Sequence, residues 1–175
     1  MCQADPPEKS GREVREGVTQ TVLPATSRPM SSLPTLDDLV ENFELLDDWE
    51  DRYRYVIELG KELEPLDPAD HSDATKVEGC VSQVWLRADL DEARDVLVFR
   101  GDSDSHLVRG LVAILLALYS GRTRAEILEI DAQGALARLG LTEHLTPQRS
   151  NGLASMVRYV QAYARGERPV HGRLH

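Results

Sequence analysis

Apolar residues at Leu36, Leu39, Val40, Phe43 and Leu46 recur with helical spacing. The pattern predicts a helix opening at Thr35, which can cap the first turn, with Asp37 and Asp38 suited to its positive end. A second stripe follows Asp48: Trp49, Tyr53, Val56 and Ile57. Gly60 is expected to loosen or end that helix, because glycine favours helix termini. The next stretch, LEPLDPADHSD, holds two prolines and four acids and reads as an irregular loop.

The periodicity then changes. Val84-Trp85-Leu86 and Val96-Leu97-Val98-Phe99 read as short strands, with Lys76-Val77-Glu78 as a third candidate. Between the first two, ADLDEARD reads as a charge-rich turn, and short neighbouring strands pair antiparallel, since parallel pairing needs a long crossover. GDSDS turns the chain into a helix over His106–Tyr119, apolar on almost every side and therefore the expected central buried helix. Gly110 inside it lowers helix propensity by about 1 kcal/mol, which close packing against the sheet would justify. Thr123 and Glu126 fit a capping box for a short helix with Ile127, Leu128 and Ile130. A last helix starts at Pro147 after a Thr146 cap and buries Leu153, Met156, Val157 and Val160. These elements predict an α+β fold of two layers, a small antiparallel β-sheet packed by helices. The domain is expected over 35–166. Residues 1–34, holding five of the nine prolines, read as a flexible tail, and 167–175 as a frayed C-terminus.

Composition narrows the function classes. The 175 residues carry a net charge of −10, and no basic stripe suggests nucleic acid. Acidity instead suits solubility and a basic patch on a protein partner. Between Thr35 and Glu50 there are seven acids and no base, compatible with a solvated helix surface or with a partner-binding face. The N-terminus shows no basic region followed by an apolar run, and no stretch is long enough to span a membrane. The expected location is the cytoplasm.

Only two cysteines occur, Cys2 in the tail and Cys80 in VEGCVSQVW, too few for a disulfide framework. Cys80 lies between a loop and a strand, with Gly79 leaving space beside the thiol. From the residues alone it reads either as a buried structural cysteine or as a thiol presented by a rigid strand. A reactive thiol needs a positive neighbour or backbone N–H donors, and His71, Lys76, Arg149 and His144 are the candidate cations. Metal-ligand spacings, nucleotide-binding glycine loops and a local hydrolase motif are missing, so no metal or cofactor is expected. GDSDSH is adequately explained as a turn with a helix cap. In EHLTPQRSNG, Arg149 stands in the first turn of a helix, where the dipole disfavours a cation. A carboxylate partner or a place beside the reactive sulfur would account for it.

Together the segments YRYVIELGKEL, VEGCVSQVWL, FRGDSDSHLVRGLVAILLALYSG and LTEHLTPQRSNGLASMVRYV resemble, in order, the SufE-like sulfur acceptor proteins and their CsdE relatives. The resemblance spans roughly residues 36 to 165. It implies a fold shared with U-type (NifU-like) iron–sulfur scaffold proteins and partnership with a pyridoxal-phosphate-dependent cysteine desulfurase. By its place in G-C-x-S-Q-V-W, Cys80 resembles the acceptor that becomes persulfidated and then delivers sulfur to an iron–sulfur scaffold complex. Arg149, in H-L-T-P-x-R-S, matches a polar residue near the acceptor loop. Asp104 falls in a region that responds to partner docking in relatives. U-type scaffolds use three cysteines; one domain cysteine implies a carrier rather than a scaffold. Two other readings stay open: a docking or regulatory module that binds a desulfurase through its acidic surface, and an autonomous thiol enzyme. Monomer and homodimer are both compatible with the sequence.

Overall fold

The computed structural model describes residues 33–168, Val170 and the backbone of 172–174. Cys2 and nearly all of the proline-rich tail lie outside the described residues, as do His171 and His175.

Seven α-helices are described: α1 (Leu36–Glu44), α2 (Trp49–Lys61), α3 (His106–Tyr119), α4 (Arg124–Glu129), α5 (Ala132–Arg138), α6 (Leu141–His144) and α7 (Pro147–Ala164). The strands are β1 (Val84–Asp91), β2 (Val96–Ser103), β3 (Arg122–Thr123) and β4 (Gly172–Leu174). Sheet order is β3-β2-β1-β4. β1 and β2 form the expected antiparallel hairpin, extended through Ala88–Asp91 and Gly101–Ser103, which the sequence reading took as turns. The unforeseen β3 pairs antiparallel with β2. β4 adds a parallel edge, pairing Asp89–Asp91 with Gly172–Leu174. Part of the segment read as frayed is therefore strand. The third candidate strand reduces to one antiparallel bridge, Lys76 to Trp85.

Helix starts follow the predicted chemistry except at α7, where Thr146 makes no side-chain cap hydrogen bond. The Thr35 hydroxyl accepts from the Asp38 N–H while the Asp38 carboxylate accepts from the Thr35 N–H, and Thr123 with Glu126 repeats this reciprocal cap. Helices α5 and α6 were not foreseen. The first is short, with only Ala132, Ala135 and Leu136 buried; the second is a single turn entered through Gly140 in the left-handed region. Such pieces carry too little periodicity to be read.

The core is built around α3. Leu111, Val112, Ile114, Leu115 and Tyr119 are buried, as are Leu86 and Ala88 from β1 and Leu97 and Phe99 from β2. Each fully buried leucine or isoleucine contributes about 1.5–3 kcal/mol over an exposed one. Gly110 is explained by α2 rather than by the sheet. A Cβ there would overlap the Val56 carbonyl, and one on Gly60 would come 2.7 Å from the Gly110 nitrogen. Gly60 thus lies buried inside the last turn of α2 as a point of helix–helix approach, not as a terminator.

A polar clamp fixes the chain ahead of β1. Asp89, only 2% exposed, receives Arg87 Nε at 3.0 Å and Nη2 at 2.9 Å. The same guanidinium reaches Asp70 at 2.6 Å through Nη1. Paired forks of this kind satisfy a carboxylate that burial would otherwise penalise.

Candidate functional site

The loop 78–83, which carries Cys80, is closed at its base by backbone pairing. The Val77 N–H donates to the Val84 carbonyl and the Leu86 N–H to the Thr75 carbonyl, both at 2.8 Å. Thr75 is buried and turns its hydroxyl back to the carbonyls of Asp70 and Ser72. On the far side, Ser103 donates its hydroxyl to the Gln83 carbonyl at 2.7 Å, and the Asp104 carboxylate accepts the Gln83 N–H at 3.0 Å. The GDSDSH segment, whose first three residues end β2, therefore does more than cap α3, where Ser105 performs the capping. Its Asp104 also ties down the end of the Cys80 loop.

Between these anchors the loop lies on α7. Gly79 has φ of +87°, a conformation that glycine adopts without steric cost. A Cβ at that position would also sit 2.8 Å from the Ser155 hydroxyl. Cys80 comes next, half-buried, its Sγ 3.5 Å from the Gly152 carbonyl, to which the thiol donates. Gly152 is what permits this approach, since a Cβ there would meet the sulfur at 3.3 Å. Val81 then swings outward and is 79% exposed. The thiol is thus tucked against a helix while its neighbour faces solvent.

The electrostatics of this resting state favour the neutral thiol. Burial pushes the Cys80 pKa up, and desolvation is the cause that acts on it. The four candidate cations have different roles. His71 places Nε2 3.0 Å from an Asp102 carboxylate oxygen and stands edge-on to Trp85. His144 stacks on Trp49 at 3.6 Å between ring centroids. Lys76 lines a neighbouring cleft. Arg149 is exposed in the first turn of α7 and, among the described residues, pairs with no carboxylate. It precedes Gly152 by three residues, which puts the two on one side of the helix. Of the four, Arg149 is the one whose helix also touches the sulfur.

Sequence reasoning missed Gly152 and Ser155. Both lie more than seventy positions from Cys80 along the chain. The only local trace is a glycine inside a helix, which often marks close approach by another segment.

Residues 37–164 match the SufE family model, described as an Fe-S metabolism associated domain. The chain belongs to the SufE family. An uncharacterized SufE-like protein of Rhizobium meliloti is 49% identical over 139 residues, covering 78% of this chain and 99% of the relative. Another from Rhizobium etli is 50% identical over 135 residues, covering 76% and 91%. A solved structure, the solution structure of a hypothetical protein from Thermus thermophilus, superposes with a TM-score of 0.61. It is 23% identical and covers 77% of this chain and 96% of its own, a likeness of fold. The SufE domain associates the chain with Fe–S metabolism, and both Cys80 and Arg149 fall inside the matched span. No helix among the described residues is long and apolar enough to cross a membrane.

Proposed function

We propose that this SufE-family chain accepts persulfide sulfur on Cys80 from a pyridoxal-phosphate-dependent cysteine desulfurase, stimulates its turnover, and passes the sulfur to an iron–sulfur scaffold complex. The pyridoxal phosphate belongs to the partner. The observation that carries the reading is a single thiol on a loop anchored at both ends, inside the family's domain, with the adjacent Val81 facing solvent.

The transfer balances without any added oxidant or reductant. The Cys80 thiolate attacks the outer sulfur of the desulfurase persulfide. A sulfur–sulfur bond forms to Cys80, the original one breaks, and the desulfurase cysteine leaves as thiolate. The proton released by Cys80 ends on the departing side. One thiol has become a persulfide and one persulfide a thiol.

The resting geometry supports a docking-dependent step. A neutral thiol held against Gly152 is a poor nucleophile and a protected one. Docking that draws Cys80 away from Gly152 removes the desolvation. Arg149, one turn away, then stabilises the thiolate and later the persulfide as a supporting positive charge.

The test is Cys80→Ser. Desulfurase stimulation is expected to disappear while binding is kept. Stimulation at the wild-type level rejects the carrier role and leaves a docking module. Sulfur turnover without any desulfurase identifies an autonomous thiol enzyme instead.

A further inference from the structure

Beside the Cys80 loop lies a cleft of about 440 Å³ between residues 73–78 and α7. Lys76, Arg158 and Arg168 line it, with Asp73 and Glu78 on the same walls. Among the described residues, none of the three cations is in an ion pair with either acid or with any other carboxylate.

Two of the cations are held in place by neighbours that leave their charge free. Arg158 donates to the Ser155 hydroxyl at 2.9 Å, and Ser155 is the residue that abuts Gly79. The Arg168 guanidinium lies 3.7 Å over the Tyr159 ring. Tyr159 is itself fixed, donating its hydroxyl to the Ala74 carbonyl at 3.0 Å. A guanidinium stacked on a ring keeps its in-plane N–H donors available, in a fork that matches a carboxylate. Ser155 follows Gly152 by three residues, about 4.5 Å of rise along α7. The cationic cleft therefore adjoins the site of the sulfur.

This charge is opposite in sign to the rest of the molecule. The chain carries −10 overall, and the seven acids between Thr35 and Glu50 are all exposed. Net charge alone suggests a basic partner surface, but the charge next to Cys80 specifies an acidic one.

We propose that the Lys76–Arg158–Arg168 cleft seats carboxylate side chains of the protein that donates sulfur to Cys80. The proposal rests on Cys80 being the acceptor and names the chemistry of the contact that brings the donor to it. Partly exposed charge pairs steer encounter and fix register.

The experiment titrates the full chain against a purified cysteine desulfurase from the same organism, without L-cysteine. The triple reversal K76E/R158E/R168E is expected to weaken Kd by at least about tenfold, and the charge-preserving variant R158K/R168K by much less. Inorganic polysulfide should still load Cys80 of the reversal variant, showing that fold and thiol are intact. Glu41→Lys with Glu44→Lys on α1 should leave Kd nearly unchanged.

A wild-type Kd for the triple reversal overturns the proposal, as does an equal loss from the α1 variant. Free citrate that occupies the cleft without affecting desulfurase affinity reassigns it to small anions and overturns it too. Wild-type binding that is sensitive to the triple reversal, but without sulfur reaching Cys80, supports the cleft and rejects the carrier function. No desulfurase binding by the wild-type chain rejects both.

Discussion

Burial raises the Cys80 pKa in the free chain, so its thiolate is scarce at neutral pH. Alkylation by iodoacetamide should therefore rise with a midpoint above that of the same cysteine in the urea-unfolded chain. A midpoint at or below the unfolded value would show that something already activates the sulfur. Gly152→Ala tests the contact from the other side. Helix propensity favours alanine by about 1 kcal/mol, while its Cβ would meet Sγ at 3.3 Å. The variant is expected to unfold no earlier than wild type but to be alkylated several-fold faster, because the loop is pushed outward. Unchanged alkylation would mean that the sulfur does not rest on this helix. The position of Cys80 in a loop just ahead of a strand was legible from its motif. Its neutral state and its seat on Gly152 were not, because both depend on a helix that returns from seventy-two positions downstream.

At the scale of elements, the α2–α3 crossing decides what a glycine means. Propensity alone would make Gly110→Ala stabilising by about 1 kcal/mol. The structure reverses the sign, since the new methyl overlaps the Val56 carbonyl. Overpacking of this kind costs about 1–3 kcal/mol, measurable by urea denaturation of the purified chain. A more stable variant would contradict the observed crossing. The sequence pattern located both helices but not their contact: Gly60 read as a terminator and Gly110 as a site of sheet packing, because one-dimensional spacing does not say which neighbour approaches. The strands were readable for the opposite reason. That holds for β1 and β2, which pair as a local hairpin marked by β-branched and aromatic residues, while β3, the two residues Arg122–Thr123, is too short to be read. The parallel strand β4 escaped because it pairs across more than eighty positions and holds a glycine, an arginine and one leucine.

For the whole molecule, the family match covers residues 37–164. A chain beginning at Leu33 is expected to melt at the same temperature as the full chain. Removing 167–175 should lower the melting temperature, because β1 loses its parallel neighbour. Equal melting after that second truncation would show that β4 adds no stability. Charge is likewise a property on which the two scales disagree: the molecule is acidic, while the cleft beside the sulfur gathers Lys76, Arg158 and Arg168. The central claim concerns one atom, the Cys80 sulfur, and mass spectrometry reads it directly. After incubation of the full chain with a cysteine desulfurase and L-cysteine, peptide analysis should find one added sulfur on Cys80 and none on Cys2. An unmodified Cys80, or added sulfur found on Cys2 instead, would contradict the account.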